Sequence, residues 1–440
     1  MKQPNVLFVM CDQMQFQRQG KVDPMAYTPN LDRLADEGIF FAHFHASNGQ
    51  CVPSRVSIQT GLYPHEAEVM IIYVFHGHTA HITGQQRTIG HVFSEAGYTT
   101  AYFGKTHFGC SLEDLGYQVG VHGDQPKMPL SKGDREITDA AIDFVDSYER
   151  CEPLFLTVSL HMPHPPFEEI EEFSANYPLE NLTLPESYEQ DDLSGKPDFL
   201  QAHSKDENHG ARDERKVREE LKRYYTMISG VDQLFGEIRD ALEGRGMWED
   251  TVVVFTSDHG DMMGAHRMRL KGTIPYEEIF RIPLIVKYPG LAGCRPVVDD
   301  LAVNVSLPGT ILDLAGLQVP KSFKGGSLVP AMRRASRPEN EMVFYEHYGA
   351  YWGIHPFRVA RTRTWKYVKY YGADNTEELH NLEGDPNEIC NLAGNQDAKR
   401  VQDELESAVD QWWLDTEGKD AAFYETEEFK VRGRDQAEEA

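Results

Sequence analysis

The stretches NVLFVMCDQ at residues 5–13 and TVVVFTSDHGD at residues 251–261 share one design, in which an apolar run ends abruptly in polar residues. A continuous apolar run rich in β-forming residues is typical of a strand in a parallel sheet, because helices cover both faces of such a sheet. Each run delivers a carboxylate where the strand ends, Asp12 in the first and Asp258 in the second. The two stretches therefore predict buried parallel strands with polar chemistry at their carboxyl ends.

Two further strand candidates end in the same way. TTAYFG at residues 99–104 is followed by Lys105 and His107, and PLFLTVSL at residues 153–160 is followed by His161 and His164. Segments with the apolar spacing of helices lie between the strands, at residues 28–38, 87–96, 137–148 and 215–244. This alternation predicts an α/β fold with its site along one edge of the sheet.

Two regions depart from that pattern. Residues 176–215 carry prolines, glycines and charges without an apolar period, which predicts a surface excursion. From about residue 340 the chain changes to short alternating segments followed by a polar, helix-like tail, which predicts a small antiparallel sheet with a terminal helix. We therefore expect a catalytic α/β domain over residues 1–335 and an α+β subdomain over residues 336–440.

Composition narrows the classes of partner. Lysine and arginine total 43 against 70 for aspartate and glutamate, a formal charge of −27, so we expect neither nucleic acid nor an anionic membrane surface as a partner. An anionic substrate would need a metal and a few cations to reverse the field locally. The first apolar run is too short for a signal peptide and no later run would span a bilayer, so a cytoplasmic protein is expected. The six cysteines are scattered without the paired spacing of disulfides or zinc sites.

One of these cysteines lies in the pentapeptide Cys51-Val52-Pro53-Ser54-Arg55, followed by Thr60-Gly61. Here the sequence resembles the formylglycine-dependent sulfatase family of the alkaline phosphatase superfamily. The resemblance runs from residue 5 to about residue 392, and further landmarks keep the order of the family: TPNLDRLADEG at 28–38, GYTTAYFGKTHFG at 97–109, PHPPF at 163–167, RIPLIVKYPG at 281–290 and ELHNLEGDPNEICNLA at 378–393.

The resemblance implies a large mixed sheet sandwiched by helices, with a smaller C-terminal antiparallel sheet plus a helix. It also implies that a formylglycine-generating maturation enzyme oxidises Cys51 to formylglycine, whose hydrated aldehyde supplies the attacking hydroxyl. After transfer, the sulfated hemiacetal expels sulfate by collapsing back to the carbonyl. The alternative for Cys51 is a buried free thiol without a chemical role.

A metal site is expected beside this cysteine. Buried carboxylates at strand ends are costly unless a cation compensates them, and a hard divalent cation suits two aspartates. The resemblance assigns the ligands Asp12, Gln13, Cys51, Asp258 and His259. Gln13 departs from the commoner second aspartate and His259 from the asparagine of many sulfatases. Calcium is the expected ion, with manganese and magnesium as competitors because an imidazole enters the set.

The resemblance also assigns roles to the surrounding cations and histidines. Arg55 and Lys105 would hold the formylglycine, and His107 would take the hemiacetal proton. His164 and Lys271 would bind the sulfate oxygens and assist departure of the alcohol. Lys105 and His107 would point to the same side if their segment stays extended. The alternative for each is a surface salt bridge or a hydrogen-bonded core histidine.

The expected activity is that of an arylsulfatase-like sulfuric ester hydrolase acting on a small sulfate ester. The alternatives are a phosphonate monoester or phosphodiester hydrolase of the same superfamily and a non-catalytic binding homologue. Lys105 and His107 favour sulfate, because phosphonate hydrolases usually carry other residues there. Alkyl, aryl and sugar sulfates all stay open as substrates, and the oligomeric state stays open, with a homo-oligomer as one alternative.

For other polar and aromatic residues, the sequence leaves alternative roles open. His161 and His266 would line the pocket, support it from behind or lie exposed at the surface. The histidines of one segment would form a substrate rim, an adventitious metal site or a packed loop: His65, His76, His78 and His81. Four aromatic residues would form a stacking wall or pack within a sheet: Tyr345, Tyr348, Tyr351 and Trp352.

Overall fold

The structure is a computed structural model, and it describes residues 3–72, 82, 86–122, 127–207, 209–334, 341–350, 353–372, 376–420 and 422. These residues form a large sheet of eight strands and a small sheet of four strands. The predicted α/β class, with a mixed main sheet and a smaller C-terminal antiparallel sheet, is confirmed.

The large sheet contains the two apolar runs that end at Asp12 and Asp258. Its strands are β1 (Asn5–Cys11), β2 (Ile39–His45), β3 (Thr99–Gly104), β4 (Val119–His122), β5 (Leu154–Ser159), β6 (Thr251–Ser257), β7 (Leu284–Lys287) and β8 (Val297–Val303). They lie in the order β4-β3-β5-β1-β6-β7-β2-β8. Only β7 among them runs antiparallel to its neighbours β6 and β2. All four predicted strands that end in polar residues are therefore adjacent, in the order β3-β5-β1-β6.

Helices cover both faces of this sheet. The helices are α1 (Pro29–Glu37), α2 (Cys51–Thr60), α3 (Ile89–Glu95), α4 (Leu130–Asp146), α5 (Glu171–Ser174), α6 (Glu186–Gln190), α7 (Asp198–Lys205), α8 (Glu214–Gly244), α9 (Glu277–Phe280), α10 (Leu307–Leu314), α11 (Val329–Arg333) and α12 (Lys399–Asp415). Alternate residues of β1 belong to different cores. Phe8 packs in the core that includes α2 and α10, and Val9 in the core that includes α1, α4 and α8. This two-sided burial explains the unbroken apolar run.

Residues 176–215 are more ordered than the sequence predicts. The segment forms α6 and α7, and Tyr188 and Leu200 are buried. The prediction of a surface excursion was wrong for these two helices. They are too short for an apolar period to be visible, and each buries only a few side chains against the main body.

The small sheet comprises β9 (Met342–Ala350), β10 (Gly353–Thr362), β11 (Trp365–Tyr370) and β12 (Glu377–Asn381), paired antiparallel in the order β12-β11-β10-β9. One face, with Phe357 and Val368, joins the core of the large sheet, and the other packs against α12 through Leu405 and Val409. The expected boundary between 1–335 and 336–440 falls at residues 335–340, which lie outside the described residues, so it stays a prediction. None of the helices described has the length and apolar character needed to cross a membrane.

Candidate active site

The carboxyl ends of β3, β5, β1 and β6 converge on one point. Asp12 follows β1 and Asp258 follows β6, and these two strands pair in register from Asn5 opposite Thr251 to Cys11 opposite Ser257. Lys105 follows β3, and Ser159 is the last residue of β5. Because neighbouring parallel strands end at the same edge, residues far apart in sequence become neighbours there.

Cys51 enters this point as the first residue of α2. Ser54, one turn further on, donates a hydrogen bond from Oγ to the backbone oxygen of Asp258. Asn304 donates to Ser54 Oγ at 2.8 Å and accepts from the backbone nitrogen of Ser47 at 2.9 Å. The start of the helix is thus tied to both β6 and the segment after β8. The helix N-terminus also places a partial positive charge beside Cys51.

Four charged or ring groups surround the sulfur atom of Cys51. Lys271 Nζ lies 2.9 Å away, His259 Nε2 3.2 Å, Asp12 Oδ1 3.6 Å and Lys105 Nζ 3.8 Å. Burial by itself raises the pKa of the Cys51 thiol, but the cations of Lys105 and Lys271 and the ring of His259 outweigh it and lower that pKa well below its usual value. The surroundings therefore favour negative charge at this position.

The residues expected to bind a metal ion come together. One ligand atom from each of Asp12, Cys51, Asp258 and His259 lies within 4.8 Å of the others, and all four residues are buried. Two carboxylates, an imidazole nitrogen and the atom at position 51 form a donor set that suits a divalent cation between hard and borderline character. The residues present fit a metal ion.

Gln13, the fifth expected ligand, lies beside this group. Its Oε1 accepts a hydrogen bond from Lys271 Nζ at 2.6 Å, and its backbone nitrogen donates to Asp258 Oδ1 at 3.0 Å. Its φ of 74° is in the left-handed region, which turns the chain sharply after Asp12. The same Lys271 Nζ lies 2.9 Å from Cys51 Sγ and 3.1 Å from His259 Nε2, so the side-chain oxygen of Gln13 shares this lysine with two of the other ligands.

Arg55 and Lys105 compensate the buried carboxylates. Arg55 Nε donates to Asp258 Oδ2 at 2.7 Å, its Nη2 lies 3.4 Å from Asp12 Oδ2, and its Nη1 donates to Ser159 Oγ at 2.8 Å. Lys105 Nζ also binds Asp12 Oδ2. Burial by itself lowers the pKa of Lys105, but the carboxylate of Asp12 and the negative charge of Cys51 together outweigh it and raise that pKa, so the lysine stays charged. These contacts hold both cations beside position 51.

His107 and His164 also lie beside Cys51, because the ring of His107 helps to lower the pKa of the Cys51 thiol and Cys51 in turn acts on the pKa of His164. His164 Nδ1 lies 2.5 Å from the carbonyl oxygen of Pro165, an acceptor, so this nitrogen carries the proton. Burial and the cation of Lys271 lower the pKa of His164, which keeps the ring neutral. The expectation of an extended segment fails at His107, whose φ is 59°. A left-handed turn instead brings its ring to Cys51.

The other candidate histidines have partners away from Cys51. His161 Nδ1 lies 3.0 Å from Asp134 Oδ1, His266 Nδ1 lies 2.5 Å from Asp191 Oδ2, and His65 Nδ1 lies 2.8 Å from Glu346 Oε1. Each is part of a buried pair that ties two segments together. His76, His78 and His81 lie outside the described residues.

The two aromatic candidates that the structure describes pack against other side chains, which is the second of the two expectations. Tyr345 is buried and stacks on Phe280 with ring centroids 4.4 Å apart. Tyr348 packs in a cluster with Met70, Trp412 and Trp413. Tyr351 and Trp352 fall outside the part of the chain that the structure describes.

Three residues of this site are not predicted from the sequence. Ser159 binds Arg55, Asn304 supports the start of α2, and Asp261 accepts a hydrogen bond from the side chain of Gln13. Asp261 had a visible signal, since it is the second acidic residue of the TSDHGD segment. Ser159 and Asn304 had none, because a single serine or asparagine at the end of a strand is common.

Comparisons with known proteins identify the family. The family model described as Sulfatase matches residues 4–317, and that described as N-sulphoglucosamine sulphohydrolase, C-terminal, matches residues 264–413. The chain is 25% identical to the N-acetylglucosamine-6-O-sulfatase of Bacteroides thetaiotaomicron, over 98% of this chain and 89% of that protein.

Solved structures share the fold. A complex of a protein with its substrate D-glucosamine-2-N,6-O-disulfate has a TM-score of 0.83 at 21% identity, covering 94% of this chain and 98% of the other. A phosphonate monoester hydrolase of Agrobacterium radiobacter has a TM-score of 0.79 at 22% identity, covering 94% and 95%. With the family model matching most of its length, this chain belongs to the sulfatase family of the alkaline phosphatase superfamily and is a sulfuric ester hydrolase.

Proposed function

We propose that this enzyme cleaves a sulfate monoester of a sugar to the alcohol and inorganic sulfate, with a formylglycine made from Cys51 as its nucleophile. The observation that carries the proposal is the setting of position 51, where Lys271, His259, Asp12 and Lys105 all lie within 4 Å of the sulfur atom. A sugar is supported by the relatives, since one is named for N-acetylglucosamine 6-O-sulfate and another structure holds a glucosamine disulfate.

We propose calcium as the resident ion, held by Asp12, Gln13, Asp258 and His259 together with the modified residue 51. A divalent cation in this position would polarise the sulfate and favour ionisation of the attacking hydroxyl. The carboxylates and the amide oxygen suit calcium, while the imidazole of His259 keeps manganese and magnesium as competitors. The net charge of −27 makes this local concentration of positive charge necessary for binding an anionic group.

The hydrated aldehyde of formylglycine would supply the attacking hydroxyl and, after transfer, release sulfate by returning to the carbonyl. Arg55 and Lys105 surround position 51 and are held in place by Asp12 and Asp258, so they can orient the modified side chain. His107 is placed to accept the proton whose loss starts the release of sulfate.

His164 and Lys271 complete the proposed set. Lys271 Nζ contacts Cys51 and His164 lies close enough for Cys51 to act on its pKa, and Lys271 supplies a fixed positive charge where sulfate oxygens would bind. A neutral His164 can pass a proton to the departing alcohol only after its free ring nitrogen has taken up a proton from the solvent, so that Lys271 keeps its charge. This division of roles predicts that loss of Lys271 weakens both binding and turnover.

A phosphonate monoester or phosphodiester hydrolase is the second candidate. The likeness to the Agrobacterium enzyme shows the shared fold alone. Lys105 and His107, both at position 51, favour sulfate over that alternative. The two candidates differ in the ester that turns over fastest, not in the nucleophile.

The test has two parts. The enzyme is produced with and without a formylglycine-generating maturation enzyme, and mass spectrometry of the peptide containing residue 51 distinguishes the thiol from the aldehyde. Rates are then compared on matched aryl sulfate and aryl phosphonate esters and on sulfated N-acetylglucosamine. The expected result is sulfate turnover that follows the aldehyde content. Faster phosphonate turnover, or full activity of the Cys51→Ala variant, would contradict the proposal.

A further inference from the structure

We propose that Asp261 is a positioning residue, which acts through Gln13 to aim the amide oxygen of that residue at position 51 and the metal ligands. Gln13 and Asp261 then form a functional pair that replaces the second aspartate of the commoner metal site. The inference rests on the proposed function, because it assigns Gln13 to the metal and sulfate site.

Asp261 is fully buried and both of its carboxylate oxygens are used. Oδ1 accepts hydrogen bonds from the backbone nitrogens of Met263 at 2.8 Å and Leu270 at 3.2 Å. Oδ2 accepts a hydrogen bond from Gln13 Nε2. The first two bonds close the loop that ends at Lys271, and the third fixes Gln13. One carboxylate thus links both sides of the site.

The orientation of the Gln13 amide follows from its two partners. Lys271 Nζ can only donate, so the atom 2.6 Å from it must be the oxygen Oε1. The carboxylate of Asp261 can only accept, so the atom facing it must be the amide nitrogen. The backbone of Gln13 is held separately, with its nitrogen bound to Asp258 Oδ1 and its oxygen to Tyr224 Oη. The side chain therefore has one orientation that satisfies every group.

This arrangement explains why an amide occupies position 13. A carboxylate there would face the carboxylate of Asp261 in a buried setting, where two like charges repel strongly. An amide donates to Asp261 and still presents an oxygen to Lys271 and the metal ligands. The physical rule is that position 261 must accept a hydrogen bond when position 13 is an amide, and must donate one when position 13 is a carboxylate.

The rule predicts that Asp261→Asn has opposite effects on metal affinity when position 13 is glutamine and when it is glutamate. Three variants measure this: Asp261→Asn, Gln13→Glu and the double variant. In the background that keeps Gln13, Asp261→Asn should weaken calcium and manganese binding about 10–100-fold, as loss of a group that orients a metal ligand typically does. The reason is that the introduced amide can donate to Gln13, which then turns its own nitrogen toward Lys271. In the Gln13→Glu background, the same change should strengthen metal binding, because the introduced amide donates to the introduced carboxylate.

Metal binding is measured by titration calorimetry with the ion alone, and the melting temperature is measured in chelator, so neither readout needs turnover. The matched control is Asp232→Asn. Asp232, on α8, is also a buried carboxylate that accepts several hydrogen bonds, but its donors are Asn30 and Leu31 at the start of α1 and not Gln13 or the loop that ends at Lys271. The control should lower the melting temperature without changing the affinity for the ion.

The outcomes separate this inference from the proposed function. If Asp261→Asn weakens metal binding by a similar factor with either residue at position 13, the pairing is refuted. If Asp261→Asn alone does not fold, the metal affinity of Gln13→Glu is compared with that of the double variant. The pairing is also refuted if the double variant binds metal no more tightly than Gln13→Glu, or if it fails to fold. An enzyme that prefers phosphonate esters, or that carries an unmodified Cys51, would contradict the proposed function. The metal titrations would still decide whether Asp261 and Gln13 act as a pair.

Discussion

Arg55 shows how much of this site depends on compensation of charge. Its guanidinium is fully buried and contacts both Asp12 and Asp258, and the strong field of these carboxylates raises its pKa despite burial. A buried pair contributes little net stability compared with an apolar pair, yet removal of one partner leaves an isolated charge in a dry interior. The folded protein therefore needs this arginine for its stability even when no sulfate ester is bound.

The first prediction concerns that arginine. Arg55→Met should lower the free energy of unfolding by about 3–5 kcal/mol in the presence of chelator, because Asp12 and Asp258 lose a cation that they share. Urea unfolding followed by circular dichroism measures the change. Added calcium should recover part of the loss, and a loss that calcium does not reduce would argue against a metal ion between these carboxylates.

The second prediction concerns His347. It is buried, stacks on Phe357 at 5.3 Å, and burial lowers its pKa from 6.5 to about 3. Below pH 6.5 the unfolded chain binds a proton that the folded protein does not bind, so this residue makes the folded state lose about 1.4 kcal/mol per pH unit down to about pH 3. Above pH 6.5 it has no such effect.

His347→Leu should therefore flatten the acid side of the stability profile. Melting temperatures measured between neutral pH and about pH 4 check this expectation, with the more exposed His209 changed to leucine as the control. An equal loss of stability in acid for His347→Leu and the unchanged protein would contradict the assignment.

At the scale of elements, helix α12 contacts two separate parts of the fold. Helix α12 docks on the small sheet through Trp412, whose ring stacks on Phe344 at 5.2 Å and meets Tyr63 edge-on at 5.0 Å. Tyr63 belongs to the segment that follows the nucleophile helix α2. The last helix of the described chain therefore supports the region just after Cys51.

The third prediction follows from that contact. Trp412→Ala should lower the free energy of unfolding by about 3–5 kcal/mol, as for other large buried aromatic residues. Chemical denaturation measures the loss. Leu414, which is 68% exposed on the same helix, provides the control Leu414→Ala, for which the change should stay near zero. Equal losses for the two variants would mean that α12 does not dock as described.

The whole molecule carries a charge of −27, and every sulfate ester of a neutral sugar is an anion. At long range the protein repels such a substrate, while Lys105 and Lys271 attract it only within the site. Screening by salt should therefore reduce the long-range repulsion of the substrate more than it weakens the attraction by Lys105 and Lys271 within the site.

The fourth prediction is that kcat/KM for a disulfated sugar increases severalfold between low ionic strength and about 0.15 M salt, where the Debye length falls to about 8 Å. Steady-state rates measured over a series of salt concentrations check it. A zwitterionic sulfate ester of zero net charge provides the control and should show little change. A decrease with salt would mean that a local positive field dominates the encounter.

Much of the architecture was predictable from local patterns. The apolar runs ending at Asp12 and Asp258 identified central strands, because burial on both faces leaves an unbroken apolar signal. The helical periods near residues 28–38 and 215–244 matched α1 and α8, because each helix buries one face and leaves the other polar. The pentapeptide at Cys51 indicated the family. The short helices α6 and α7 were missed, since neither is long enough to show a period.

By itself, the sequence predicted most of the residues that meet around position 51, because strand-end polar residues and the motif at Cys51 are visible in a few consecutive positions. Only the tertiary structure decided how they pair. Lys271 Nζ meets Gln13 Oε1 across 258 positions of chain, and Asp261 binds Gln13 across 248. Local composition records burial and turns, but a contact of this kind depends on β1 lying beside β6 and on the loop after β6 folding back over it. The oxygen that Gln13 presents to the site is therefore a product of the fold.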